Sequence, residues 1–198
     1  RRVLFRSPVP PTPTANPRIS SILVGVTWLE VAVLAVAGGG LLIASPTIAG
    51  IWPWALAPFN LRFLGAIYTA ALFAALLQCL YARWSPARTV TAMIFVFTLV
   101  VTACSFVHLT RFDFAGVPAW IWFGLYLGVC LNAGAHLVWY RQVVPAGAMP
   151  PPGARLLFLA QALVLGAYGI ALLSAPAWAS VPWPWKIDAF HAQLYSVV

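Results

Sequence analysis

Charge is what this sequence lacks. Only 7% of its 198 residues are charged and just 3 are acidic, against a hydrophobic share of 63% and a mean hydropathy of +0.92. So few ionic groups cannot cover a water-soluble body of this size, which excludes an ordinary soluble domain. Disorder is excluded by the same figures, because disordered chains are poor in apolar residues and rich in charge. Cysteine is scarce too. Cys79, Cys104 and Cys130 each lie inside an apolar run, with no CxxC spacing and no pair in a loop. That rules out a disulfide framework or a zinc site and leaves three small buried apolar residues. No GxGxxG, P-loop, HExxH, Ser/His/Asp arrangement or activated cysteine is present, so no catalytic motif and no cofactor are expected.

What is present is a series of long apolar runs. A helix crossing about 30 Å of hydrocarbon at 1.5 Å per residue needs about 20 apolar residues. Five segments meet this length: 21–44, 61–82, 90–109, 118–140 and 156–175. Pro46, Pro86, Pro118, Pro145, Pro150 to Pro152 and Pro176 fall in the gaps or at a first turn, where a missing backbone donor is tolerated. The fold class is therefore an all-α integral membrane protein, a polytopic helix bundle with five complete spans. A sixth helix begins at 189–198, too short to cross, and is expected to continue in a longer chain. Residues 21–198 form one transmembrane domain. Residues 1–20 form a Pro-rich tail without regular structure, in which Val3-Leu4-Phe5-Arg6-Ser7 reads as the translation of a sequencing-adapter end, so that 1–7 carry no weight.

The net charge of +8 does not mark a nucleic-acid partner, because the basic residues do not cluster. They stand at the ends of the apolar runs, as the lipid bilayer requires of a spanning protein. Arg18, Arg83, Arg88, Arg141 and Arg155 fall on one side, with Arg62, Arg111 and Lys186 on the other. The excess predicts a cytoplasmic N-terminus. Nine of the ten tryptophans, Trp52, Trp54, Trp183 and Trp185 among them, lie at helix ends or in loops, which predicts an aromatic belt at the headgroup level. Trp52-Pro53-Trp54 also returns as Trp183-Pro184-Trp185, and Phe59 as Phe190, at the same spacing of 131. Four helices separate the copies. Both then lie on one side of the membrane, as in two parallel four-helix repeats, a 4+4 arrangement about an axis along the membrane normal.

Few polar groups remain inside the spans. Glu30 is the only acidic one, near the middle of the first, and a carboxylate there must be partnered, protonated or turned to a water-filled cavity. Gly124, Gly128, Asn132, His136 and Tyr140 recur at every fourth residue of the fourth span and share one face. The Gly124–Gly128 pair suggests close helix packing, with Asn132 and His136 bonding across the contact. Glu30 and Asn132 fall within about 5 Å of one depth and make the preferred pair; His136 lies about 10 Å deeper and would need a water, Gln78 or Gln161. Thr98, Thr102 and Ser105 form a stripe of hydroxyls that bond back to their own helix. His108 and His191 reach the outer level and could ligate a haem iron or metal; the commoner outcome is a pair of interfacial histidines. Arg62 reads as an interfacial anchor facing the first Trp-Pro-Trp loop.

The two Trp-Pro-Trp loops, together with His108-Leu109-Thr110-Arg111-Phe112 ahead of the fourth span, resemble features of uncharacterised multi-pass membrane proteins of bacteria. The resemblance covers about a fifth of the chain and implies a bacterial cytoplasmic membrane but no activity. Three functions are carried forward. The first is a transporter-like protein for a small solute or ion, with a midplane site of Glu30, Asn132, His136, Gln78 and Gln161. The second is a non-catalytic scaffold, sensor or partner subunit, and the third a haem or metal redox protein using His108 and His191.

Overall fold

The computed structural model describes residues 16–43, 45–144, 146 and 150–198. The expectations for 1–7, for most of the Pro-rich tail and for Pro145 lie outside the described residues. Among the described residues the fold is an all-α bundle with five helices long and apolar enough to cross a membrane. These are α1 (Ser21–Ile43), α3 (Pro58–Tyr81), α4 (Trp84–Val107), α5 (Val117–Trp139) and α6 (Pro152–Ser174). Two short helices that hydropathy did not signal, α2 (Ser45–Gly50) and α7 (Pro176–Ala179), follow α1 and α6, and α8 (Ala189–Leu194) runs into a 3₁₀ turn, Tyr195–Val197. Most helix ends fall within a few residues of expectation. The exception is α4, which starts six residues before the expected Val90. Pro86 sits in its first turn, where no intrahelical donor is needed, and the Trp84 N–H is taken by the Pro17 carbonyl at 2.9 Å.

Packing divides the bundle into pairs. α1 lies along α3, and α4 along α5, while the contact between the two pairs is slight. Glycine permits the first pairing: a Cβ on Gly38 would stand 3.1 Å from the Thr69 backbone nitrogen, and one on Gly65 3.1 Å from that of Leu42. In lipid, where apolar side chains gain little by meeting one another, such close approach is what holds helices together.

The connections sort onto two ends. At one end the tail folds against the α3–α4 joint, with the Ile19 N–H on the Ala82 carbonyl at 3.1 Å; Ala82 itself takes a left-handed conformation (φ 46°) to close α3. The Ala146 N–H reaches Ser85 at 2.8 Å and the Tyr140 hydroxyl the Arg18 carbonyl at 3.3 Å, so all the connections carrying Arg18, Arg83 and Arg141 share this end. Trp84 is buried there, stacked on Tyr140 at 4.4 Å. At the opposite end the two Trp-Pro-Trp loops meet the 3₁₀ turn Leu109–Arg111 and α8. The belt expectation is corrected for Trp54, Trp84 and Trp122, which are buried among other rings; Trp28, Trp120, Trp139 and Trp178 are exposed. Trp54 and Trp122 are enclosed edge to face by one another and by Trp52, and Trp54 also by Phe190, while Trp84 is stacked on Tyr140.

Candidate functional site

The slight contact between the helix pairs leaves a cleft of about 1,430 Å³ bordered by α1, α3, α4 and α5. Its walls are apolar along most of their length, with Leu34, Ile67, Phe97 and Val129 typical. Near the Trp-Pro-Trp end the hydroxyls of Tyr68 on α3 and Tyr126 on α5 bond to each other at 2.8 Å across it, backed by Trp122, whose ring lies 4.2 Å from Tyr126. Glu30 borders the cleft from α1, part-exposed, and its carboxyl has no hydrogen bond or ion pair among the described residues. Thr98 is the hydroxyl of the α4 stripe that borders the cleft, and it donates to the Ile94 carbonyl at 2.7 Å. Ser105 likewise donates to Val101 and accepts the Trp122 indole N–H at 3.0 Å, but the expected back-bond of Thr102 does not form, its buried hydroxyl having no partner among the described residues.

The other expected site residues lie elsewhere. Gln78 is buried where α1, α3 and α4 meet, donating to Thr27 at 3.0 Å and accepting from Thr91 at 3.1 Å, so its amide is spent on packing. His136 is at the arginine-bearing end. Its Nδ1–H donates to the Asn132 carbonyl at 2.7 Å, leaving Nε2 to accept the Ser20 hydroxyl at 2.6 Å. Ser20 in turn accepts the Leu23 N–H at 3.1 Å and so caps α1. The pairing of Glu30 with Asn132 does not form: the Asn132 amide nitrogen is buried with no partner among the described residues. Gln161 is exposed on α6, at the position 131 residues after Glu30. Gly124 and Gly128 do not carry a helix contact either, for a Cβ on either would meet nothing within 4 Å. The helical rise sets the depth of a residue, but the side of the helix on which its neighbour lies depends on tertiary packing.

At the Trp-Pro-Trp end both candidate metal ligands are engaged. His108 Nε2 bonds to Gln193 Oε1 at 2.6 Å. His191 uses both nitrogens: the Trp54 indole N–H donates to Nε2 at 3.2 Å, which leaves the proton on Nδ1 to donate to Asp188 Oδ1 at 2.7 Å. Asp188 Oδ2 pairs with Arg111 at 2.9 Å. Burial works against ionisation of Asp188, but the backbone N–H and ring of His191 and the Arg111 guanidinium outweigh it and hold the carboxyl below its ordinary range. Among the described residues no three His, Cys, Asp or Glu side chains stand close enough to hold a metal ion. Arg62 is exposed on α3. Trp185 donates to Asn60 Oδ1 at 2.7 Å, a polar anchor that the sequence reading missed. Its signal was available, for Asn60 follows Trp54 by the interval at which His191 follows Trp185.

No family model, curated protein or solved structure matches this chain.

Proposed function

We propose that this multi-pass membrane protein is transporter-like, carrying a small solute or ion by way of the cleft between the α1–α3 and α4–α5 pairs, with Glu30 as the group that binds or couples. The observation that carries the reading is Glu30 itself, the single carboxyl within a span, bordering the cleft without a partner among the described residues. An ionisable group at that depth costs about 2.5–3.5 kcal/mol on insertion scales, a cost that function can justify and packing here does not. Asn132, His136, Gln78 and Gln161 drop out of the site as first drawn, since none of them borders the cleft. Its apolar walls suit a solute with an apolar body and one cationic or hydroxyl group. The arginine-bearing end is assigned to the cytoplasm on its excess of positive charge, and the bacterial inner membrane rests on the resemblance of the Trp-Pro-Trp loops alone.

The test is flux in proteoliposomes, wild type against Glu30→Gln, with candidate cations, protons and amphiphilic amines as probes. Flux lost in the variant, with unchanged thermal stability, supports the reading; equal flux removes Glu30 from the mechanism. A second reading, a scaffold or partner subunit, has its own support in α6, of which only Gly169 and Leu172 are buried within the bundle. Under that reading Glu30→Gln leaves flux at background in both proteins and lowers stability or assembly instead.

A further inference from the structure

The two Trp-Pro-Trp stretches share more than a motif. α1 and α6 are each 23 residues long, and the starts of α1 and α6, of α2 and α7, and of α3 and α8 are all 131 residues apart. At that interval Gly38 matches Gly169 and Leu41 matches Leu172, and both leucines are fully buried. Within each loop the two indoles meet edge to face, at 73° for Trp52 and Trp54 and 74° for Trp183 and Trp185.

The contacts between the loops are reciprocal. Trp54 of the first donates to His191 of the second, and Trp185 of the second to Asn60 of the first. Shifting each residue by 131 in the appropriate direction turns one bond into the other. The ring contacts obey the same exchange, Trp54 with Phe190 at 5.2 Å and Trp185 with Phe59 at 4.3 Å. A head-to-tail stacking of repeats would give contacts of two different kinds, whereas a two-fold relation gives each contact twice. The copies differ at the acceptor: where the first has Ala57 and Asn60, the second has Asp188 and His191, and Lys186 stands in place of Ala55. One acceptor of the pair is an amide that does not titrate; the other is an imidazole that does.

We propose that the two loops form a pseudo-two-fold clasp between two copies of one unit, and that acid opens one of its two bonds: when His191 takes up a second ring proton, Trp54 is released while Trp185 stays on Asn60. An indole N–H can only donate, so it is held only while Nε2 of His191 is bare. Protonation sets two donors against each other at that contact and leaves the bond to Asp188 intact. The titratable and charged groups around His191 are Asp188 and Tyr195 from its own segment, Arg111 from the 3₁₀ turn and His108 from the end of α4; the first loop contributes Trp54 and α5 Trp122, neither of which titrates. Asp188, held below its ordinary range, stays ionised between pH 8 and pH 5.

The experiment uses the exposed matched positions Ala55 and Lys186. Nitroxides are placed at Ala55→Cys and Lys186→Cys, with Cys79, Cys104 and Cys130 changed to alanine, in the full chain in nanodiscs, and the distance between them is measured at pH 8 and pH 5. At pH 5 a second, longer distance should rise by up to about tenfold in relative population, the factor that one lost hydrogen bond gives. His191→Asn, which installs the acceptor of the first copy, should keep the short distance at both pH values. Trp185→Phe should leave the pH response in place. An unchanged distance in the parent protein overturns the proposal, as does a response that persists in His191→Asn. If His191→Asn does not fold, Trp54→Phe serves instead: it lacks the donor, so a pH response surviving in it overturns the proposal and its loss supports it.

Discussion

Replacing Gly38 by alanine should loosen the α1–α3 pair, and the structure sets the size of the effect. The new methyl would stand 2.9 Å from Thr69 Oγ1, 3.1 Å from the Thr69 nitrogen and 3.3 Å from the Tyr68 carbonyl carbon, where ordinary contact begins at 3.4 Å. The hydroxyl could turn away, but two of the three atoms are backbone, so the helices must part by a few tenths of an ångström. Overpacking of this kind costs about 1–3 kcal/mol, and alanine returns up to about 1 kcal/mol in helix propensity. The net loss is about 1 kcal/mol, roughly fivefold in the unfolding equilibrium. Gly65→Ala, whose methyl would meet Leu41 and Leu42, should lose a similar amount. The double variant should lose less than the two singles together, because one displacement relieves both contacts. Gly124→Ala and Gly128→Ala, with nothing within 4 Å, should be neutral or stabilised by up to about 1 kcal/mol. Reversible unfolding in mixed detergent–SDS micelles measures the parent and all five variants on one scale. Gly38→Ala as stable as the parent, with Gly124→Ala destabilised, would refute the helix pairing described here.

Two further outcomes follow from the polar contacts. Gln78→Leu keeps the volume but strips Thr27 and Thr91 of their partner, and should lower stability by about 1 kcal/mol in the same micelle assay. Asp188→Asn bears on acid stability. Because the folded carboxyl lies below its ordinary range, its contribution is present above about pH 4 and is lost as pH falls through the folded value. Melting temperatures followed from pH 7 to pH 3 should therefore fall more steeply below pH 4 in the parent than in Asp188→Asn. The difference should be small, since the side chain is 38% exposed and solvent screens it.

Depth along the membrane was legible in the sequence, and direction around each helix was not. Apolar length alone located five spans, because backbone polar groups in lipid must be satisfied within the helix and the layer thickness then sets the residue count. The hydroxyl stripe on α4 was legible in two of its three members: Thr98 and Ser105 bond back to carbonyls one turn earlier, a contact inside a single element, whereas the buried Thr102 hydroxyl has no partner among the described residues. Glu30 and Asn132 were placed at one depth but do not meet, and Gln78 found Thr27 and Thr91 instead. Gly124-xxx-Gly128 looked like the packing motif, yet Gly38 and Gly65, on two different helices, are the glycines that let α1 and α3 approach each other.

The sequence by itself determined that the chain is a bundle of membrane-spanning helices, which of its ends carry the arginines, and that Trp-Pro-Trp occurs twice at a spacing of 131. Each of these follows from one-dimensional quantities: length, composition, periodicity and interval. Tertiary structure decided that α1 lies on α3 and α4 on α5, that Glu30 borders an apolar cleft, and that each tryptophan loop holds the residue six places beyond the other. Those depend on how helices rotate and approach one another, and in lipid that is set by small residues and single hydrogen bonds between distant parts of the chain, which leave no period in the sequence.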